Sequence, residues 1–161
     1  MTQDDVPAVL AIQDQCYLPA VIEDESSIRS RLDASPDSAW VAEDEQGVCA
    51  YLVAYRSIVG KVTPIGGAFD VATEPGTFYL HDLAVARRAT GCRIGQALVG
   101  LACELARAEG LAHSSLVSIQ ASSEFWKKHG YAVVDDLDPL ALANLETYGG
   151  QGYYMVKRLR D

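Results

Sequence analysis

The stretch of sequence that decides the fold covers residues 78–131 and contains three motifs in a fixed order. It begins with an apolar run typical of a strand, which reads Phe78-Tyr79-Leu80-His81-Asp82-Leu83-Ala84-Val85. A turn with two glycines follows, and it reads Thr90-Gly91-Cys92-Arg93-Ile94-Gly95. The third motif is an aromatic run, which reads Phe125-Trp126-Lys127-Lys128-His129-Gly130-Tyr131.

The residues after the turn have the spacing of an amphipathic helix. Its apolar face consists of Ile94, Ala97, Leu98, Leu101, Ala102, Leu105 and Ala108. The first N–H groups of a helix lack partners within the helix and carry partial positive charge, so they bind anions readily. Gly91 and Gly95 would let the backbone approach phosphate oxygens, and Arg93 could add a charged contact. The turn is therefore a candidate phosphate site, although an ordinary strand-to-helix connection gives the same pattern.

Composition and charge restrict the class of protein. The 161 residues are 49% hydrophobic, which is enough for one well-cored domain over residues 1–161 and too few for two. The net charge of -9 argues against a nucleic-acid partner and is compatible with a cationic substrate such as an amine. The sequence has no charged-then-apolar leader and no apolar run of bilayer length. We therefore expect a soluble, cytoplasmic protein with no membrane partner.

The cysteines and histidines do not have the spacing of a metal site. The four cysteines fall in four different predicted elements, at positions Cys16, Cys49, Cys92 and Cys103. None forms a Cys-x-x-Cys pair, and His113 and His129 lack partners at metal-ligand spacing. The sequence therefore predicts free thiols, no disulfide framework and no metal.

The rest of the chain predicts an alternation of helices and strands. Helices are expected at residues 4–16 and 25–34, and strands at 39–42 and 48–56 on either side of an acidic turn. Residues 60–76 are rich in glycine and proline and predict an irregular loop. After the central helix we expect a strand at 115–120, a short helix at 122–129, and strands at 131–135 and 152–159. The pattern at residues 138–148 is ambiguous, with a turn of helix as one interpretation.

Together these motifs resemble the GNAT superfamily of acyl-CoA-dependent N-acetyltransferases. The resemblance covers residues 39–134 and rests on the order of the strand ending at Val85, the turn before Gln96, the strand around Ser118 and the aromatic run. It implies an α/β (α+β) fold in which a central mixed, mostly antiparallel sheet is flanked by helices and splayed between two central parallel strands. Because only three residues precede the first predicted helix, we expect the family's first strand to be short or absent.

The resemblance also implies acetyl-CoA as co-substrate, without a metal. The residues expected to hold it are Leu83, Ala84, Val85, Thr90, Gly91, Cys92, Arg93, Ile94, Gly95, Gln96, Ser122, Phe125 and Trp126. Backbone N–H groups of the strand ending at Val85 would stabilise the oxyanion. The turn departs from the family pattern at Thr90 and at Arg93, which stands where a glycine is usual. Phosphate binding by backbone amides then requires that Arg93 tolerate the local backbone conformation.

The catalytic residues implied by the family are replaced in this chain. Trp126 occupies the position of the usual tyrosine acid, and Ser118 that of a frequent glutamate base. We favour Asp82 as the group that orients or deprotonates the amine, with His81 as the second candidate. Strand alternation predicts that these two side chains point to opposite faces, so that at most one lines the cleft. Tyr131 is a further candidate, although core packing suits its position better.

Several questions stay open at the level of sequence. Further hydroxyl candidates are Tyr79, Tyr148, Tyr153 and Tyr154, which nothing in the sequence ranks. The expected reaction is acetyl transfer to a primary amine by direct attack in a ternary complex, with either a small molecule or a protein N-terminus as acceptor. The alternative is a non-catalytic acyl-CoA-binding or interaction domain, whereas an ATP site is disfavoured by the missing Gly-Lys-Ser/Thr. Exposed strand edges predict a homodimer.

Overall fold

A six-stranded sheet forms the centre of the protein, in a computed structural model that describes residues 1–150 and 152–160. The strands are β1 (Ala39–Asp44), β2 (Gly47–Ser57), β3 (Thr77–Val85), β4 (His113–Ser118), β5 (Ala132–Val133) and β6 (Tyr153–Arg158). The helices are α1 (Val6–Cys16), α2 (Glu25–Ala34), α3 (Ile94–Ala108), α4 (Ser123–Lys128) and α5 (Pro139–Glu146). The strands lie in the order β1-β2-β3-β4-β6-β5.

The parallel pair β3 and β4 determines where the sheet opens. All other neighbouring strands are antiparallel. The pairing of β3 with β4 joins Thr77 to His113 at one end and Leu80 to Leu116 at the other, whereas β3 continues to Val85. The two strands therefore separate beyond Leu80. The expected mixed, mostly antiparallel sheet, splayed between its parallel strands and flanked by helices, is confirmed. No strand occurs within residues 1–38, as expected.

Helices cover both faces of the sheet. α1, α2 and α5 pack on the face that carries Tyr51 and Tyr79, and α3 and α4 pack on the face that carries Leu52 and Phe78. Each of these four side chains is fully buried, and burial of a large apolar side chain contributes about 1.5–3 kcal/mol. The gap between β3 and β4 is therefore lined by side chains from both layers.

In three regions the structure corrects or completes the predicted secondary structure, for local reasons. Residues 138–148 contain α5, because the Asp138 carboxylate accepts the Ala141 N–H at 2.7 Å and a proline occupies the first helical position. β4 ends at Ser118 instead of residue 120, because Gln120 and Ala121 have φ of 50° and 59°. β5 is shorter than predicted, since the Tyr131 N–H donates to the Trp126 carbonyl and completes the end of α4 instead. Residues 58–76 contain neither helix nor strand, as predicted.

Candidate active site

A cavity of about 710 Å³ lies in the gap where β3 and β4 separate. Its walls come from β3, β4, the turn before α3, and α4, and from residues near the end of α1, the β2–β3 connection and the end of α5. Among the described residues, no group of three or more His, Cys, Asp or Glu side chains could hold a metal ion. The cavity lies beside the turn that the sequence predicts as the phosphate site.

Most residues expected to hold the cofactor line this cavity. They are Leu83, Val85, Thr90, Gly91, Arg93, Ile94, Gly95, Gln96, Ser122, Phe125 and Trp126. Ala84 and Cys92 do not line it, and their contact with the cofactor stays a prediction. Ala84 is buried under β3 against the α1 and α2 layer, because alternation turns it away from Leu83 and Val85. Cys92 is exposed at the outside of the turn.

The turn before α3 is shaped to present backbone amides. Gly91 has φ 86°, and Arg93 adopts the left-handed conformation with φ 60° and ψ 16°. The Arg93 carbonyl accepts the Ala97 N–H at 3.0 Å, which makes Arg93 the N-cap of α3, and no side chain among the described residues caps the helix. The first amides of α3 are thus available to an anion. Arg93 does tolerate the local backbone, at the energetic cost of a positive φ.

The absence of a side chain at Gly95 leaves space beside the first N–H groups of α3. A Cβ built at this position would lie 3.5 Å from Val85 Cγ2 and 3.8 Å from Phe125 Cζ, both of which line the cavity. A larger side chain at Gly95 would therefore project into the space next to the helix end. This arrangement fits a phosphorylated, extended ligand such as an acyl-CoA.

We predict that two substitutions of Arg93 separate its charge from its backbone strain. Arg93→Ala and Arg93→Gly both remove the cation and should weaken acetyl-CoA binding about fivefold. Glycine adopts a positive φ without strain and alanine does not. The free energy of unfolding of Arg93→Gly should therefore be about 1 kcal/mol higher than that of Arg93→Ala. Urea unfolding and titration calorimetry measure the two effects. Arg87→Ala, which removes an exposed cation outside the cavity, is the control. Equal free energies of unfolding in the two Arg93 variants would contradict backbone strain at this position.

A β-bulge in β3 changes the faces of His81 and Asp82. Val53 of β2 pairs with Asp82, and the next residue, Ala54, pairs with Leu80, so His81 has no partner on β2. The extra residue resets the alternation, and both side chains point to the α1 and α2 layer. The prediction that they point to opposite faces is therefore wrong, because strict alternation holds only in an unbulged strand.

Asp82 is held by two tyrosine hydroxyls. Tyr51 Oη donates to Asp82 Oδ2 at 2.5 Å, and Tyr17 Oη donates to Asp82 Oδ1 and lies 3.0 Å from the Leu83 carbonyl oxygen. Burial raises the pKa of Asp82, and the two hydroxyl donors oppose that increase. Asp82 and Tyr17 both line the cavity. The raised pKa brings this carboxylate closer to the range in which it can accept a proton near neutral pH.

His81 belongs to a buried charge network below the cavity. Its side chain is only 2% exposed, although the residue as a whole is half-buried, so its exposed part is main chain. Nε2 lies 3.1 Å from Glu23 Oε2, and Nδ1 is buried with no partner among the described residues. Burial raises the pKa of Glu23, but His81 and Arg31 outweigh it and hold that pKa well below its ordinary value. His81 thus lines the cavity, with its imidazole buried against Glu23.

Tyr131, the third catalytic candidate, does not line the cavity. It is 3% exposed in the α3 and α4 layer, and its hydroxyl is 2.7 Å from Ser114 Oγ. Trp126 is 7% exposed and lines the cavity from the same layer. Ser118 is buried, with its hydroxyl 3.0 Å from that of Ser122. Trp126 and Ser118 stand at the positions of the family's acid and base, but we do not assign those roles to them.

Two polar residues of the site were missed from the sequence, and a third was named but not ranked. Tyr17 follows α1, Glu23 precedes α2, and Tyr148 follows α5, and all three line the cavity. Tyr17 and Glu23 stand far from every motif in the sequence. Their only signal was a tyrosine and an acidic residue in the connection between two predicted helices. Tyr148 was one of several tyrosines that the sequence could not rank.

Residues 6–131 match the model of the acetyltransferase (GNAT) family. The chain belongs to this family. The expected family membership is thus confirmed, and with it acyl-CoA as the family's co-substrate. No curated protein sequence is significantly similar to this GNAT protein. None of the helices in the described residues is long and apolar enough to cross a membrane.

Solved structures share the fold of this GNAT protein at low sequence identity. The GphF GNAT-like decarboxylase in complex with isobutyryl-CoA superimposes with a TM-score of 0.79 at 15% identity, covering 99% of this chain and 97% of that chain. Ard1 from Thermoplasma volcanium gives a TM-score of 0.74 at 14% identity and 100% and 95% coverage. The loading GNATL domain of CurA from Lyngbya majuscula gives 0.75 at 12% identity and 99% and 95% coverage. These likenesses establish the fold of the chain.

Proposed function

We propose that this GNAT protein transfers an acetyl group from acetyl-CoA to a primary amine by direct attack in a ternary complex. One observation carries the proposal. A single cavity joins the amide-presenting turn at the start of α3 to the Asp82 carboxylate at the bulge of β3. We call the part near α3 and α4 the cofactor end. The part formed by Tyr17, Val21, Ile65, Asp82 and Tyr148 is the acceptor end.

Asp82 would serve as the base. An alkyl ammonium with a pKa of about 10.4 is protonated at neutral pH, so it must lose a proton before it attacks. One N–H bond breaks as the proton passes to Asp82, and the nitrogen lone pair then forms the C–N bond at the thioester carbonyl. The C–S bond breaks, and the leaving thiolate takes up the second proton, which the nitrogen loses as the amide forms. Main-chain N–H groups of β3, where it has separated from β4, would stabilise the oxyanion.

The cysteine that lines the cavity does not favour an acetyl-enzyme. Cys16 Sγ donates to the Val85 carbonyl oxygen at 3.3 Å, and burial raises the pKa of its thiol. A thiol with a raised pKa is a poor nucleophile, because the thiolate is the reactive form. Direct attack by the amine therefore needs no protein nucleophile.

The proposal is tested by measuring acetyl-CoA binding and turnover on the same protein. We expect acetyl-CoA, and not ATP, to raise the melting temperature, and a panel of primary amines to release free CoA thiol. Gly95→Leu should fold, since leucine favours a helix over glycine, but should lose the shift with acetyl-CoA because its side chain enters the cavity. Gly100→Leu, on α3 with nothing within 4 Å of its added Cβ, is the matched control.

Two other outcomes would replace the proposal. Acetyl-CoA binding without transfer to any amine would support a non-catalytic acyl-CoA-binding domain. Release of CO2 from a carboxylated acyl-CoA, without amine acetylation, would support a decarboxylase, which is the activity in the name of the GphF neighbour. A cytoplasmic location and a homodimer stay predictions.

A further inference from the structure

The connection between β2 and β3 borders the acceptor end and contributes Ile65 to its wall. We call residues 58–76 the strap. Three hydrogen bonds tie it to the end of α5: Asn144 Nδ2 donates to the Val62 carbonyl at 2.9 Å, the Ile65 N–H to Thr147 Oγ1 at 3.1 Å, and Tyr148 Oη to the Thr63 carbonyl at 2.6 Å. The Tyr148 ring, 7% exposed, and Ile65 both line the cavity. The α5 side of the acceptor end is thus closed by paired polar groups.

The other side of the strap is tied to α2 by a buried ion pair. The Gly66 N–H donates to Glu23 Oε1 at 2.8 Å, and Arg31 Nε donates to the Gly67 carbonyl at 3.0 Å. Glu23 and Arg31 pair with each other through both guanidinium nitrogens, at 5% and 2% exposure. The Arg31 guanidinium also lies over the ring of Phe69, 5.2 Å from its centroid. Opening the strap on this side would expose or unpair two buried charges, which is costly.

A strap held on both sides limits the shape of the acceptor. A peptide N-terminus needs an open groove for the residues that follow its amine. Here such a chain would have to displace the strap from α5 or from the Glu23–Arg31 pair. A small molecule meets no such barrier, because the cavity of about 710 Å³ has the size of a small-ligand site.

The charges at the acceptor end select among small amines. Glu23 already accepts hydrogen bonds from Arg31, His81 and Gly66, and its charge is offset by Arg31. Asp82 accepts one tyrosine hydroxyl on each oxygen, and a carboxylate oxygen can accept more than one bond. Asp82 is therefore the anion with capacity left for an ammonium group.

The acceptor end has no lysine or arginine among its described lining residues, because Arg93 and Lys128 belong to the cofactor end. Glu23 and His81 also line the cavity there, and they pair with each other. The other walls are apolar or aromatic, and they include Val21, Ile65, Val117 and Tyr148. A carboxylate on the acceptor would be desolvated there without a partner, which is unfavourable.

We propose that the acceptor is a small primary amine with an apolar body, and that the strap and Asp82 together exclude peptide N-termini and free amino acids. This inference rests on the proposed function and names the substrate class of the same site. The ammonium group contacts Asp82, and the apolar body lies against Ile65 and Tyr148.

The test compares matched amines in two assays. The panel is benzylamine and hexylamine, phenylalanine and glycine, and a hexapeptide with a free N-terminus. We expect kcat/KM for benzylamine or hexylamine to exceed that for the amino acids and the peptide about 100-fold. Binding of the same amines to the CoA-saturated protein is measured by NMR. A peptide or an amino acid as the best acceptor would overturn the inference and leave the acetyltransferase proposal intact. Binding of the apolar amines without turnover would support the inference and contradict the acetyltransferase proposal.

Variants of Ile65 locate the contact. Ile65→Ala should shift the preference toward longer alkylamines, and Ile65→Trp should abolish binding of benzylamine but not of acetyl-CoA. Val71→Ala, an exposed position of the strap outside the cavity, should leave the preference unchanged. Unaltered amine preference in both Ile65 variants would refute the assigned acceptor position.

Discussion

Replacement of Asp82 by Asn is expected to lower kcat for acetyl transfer about 10²–10⁴-fold, the usual contribution of a positioned base. Asn has the same shape, and its carbonyl oxygen still accepts a tyrosine hydroxyl, but it cannot take a proton from the ammonium. Acetyl-CoA should bind Asp82→Asn as it binds the wild type, because the phosphate turn is at the other end of the cavity. Release of CoA thiol under saturating substrates measures the loss, and calorimetry measures the binding.

The pH profile gives an independent check on Asp82. Only the ionised carboxylate accepts the proton, so kcat/KM of the wild type should fall as the pH drops through the raised pKa of Asp82. Tyr17→Phe removes one hydroxyl donor to the charged form, so it should move this acidic limb to higher pH. Asp136→Asn, at an exposed position, should change neither rate nor profile. A full rate in Asp82→Asn would assign the base to another group.

The same substitution should not destabilise the protein at neutral pH. The pKa of Asp82 is higher in the folded chain than in the unfolded chain, so its ionisation costs folding free energy as the pH rises through the folded pKa. Asn removes this cost. We therefore expect Asp82→Asn to melt no earlier than the wild type, which circular dichroism during heating measures, so that a lower rate reports the lost carboxylate.

Arg31→Met is expected to lower the free energy of unfolding by about 3–5 kcal/mol, because it leaves the Glu23 charge buried without its cation. Glu23 and Arg31 have side-chain exposures of 4% and 3%, so water cannot replace the lost partner. Arg31 also donates to the Gly67 carbonyl, and that bond is lost as well. Urea unfolding followed by fluorescence measures the change.

Two variants control for this effect. Arg29→Met, at a half-buried position of the same helix, removes bonds to Glu25 and Gln3 and should cost only about 1 kcal/mol. The double variant Glu23→Gln/Arg31→Met removes both charges and should recover a large part of the loss. No recovery in the double variant would mean that packing, and not the unpaired charge, explains the cost.

Acid unfolding reports on the same pair. The pKa of Glu23 is held well below its ordinary value of 4.5, so its stabilisation is present above that value and is lost as the pH falls below it. Arg31→Met weakens the depression of this pKa. The stability of the variant should therefore fall less steeply with decreasing pH than that of the wild type.

Local sequence was sufficient for the framework of the cofactor end. The turn at Gly91 and the apolar spacing that begins at Ile94 predict a helix end facing a strand, because turn geometry and helical periodicity depend on neighbouring residues. The turn and the run around Phe125 then indicated the family, and the cavity lining agrees at nearly every residue assigned to the cofactor. Ala84 and Cys92 are the exceptions, since Ala84 is buried in the α1 and α2 layer and Cys92 is exposed.

The acceptor end depends on contacts between distant residues. The bulge that turns His81 and Asp82 to one face is a property of the pairing with Val53 and Ala54, and strand periodicity in β3 does not encode it. Tyr17 reaches Asp82 across 65 residues of sequence, and Gly66 reaches Glu23 across 43. By itself the sequence determined the helix, the turn and the family, because these rest on local spacing. Only the tertiary structure decided that Asp82 lines the cavity between two tyrosine hydroxyls, because burial and pairing of charges are set by residues that the chain brings together on folding.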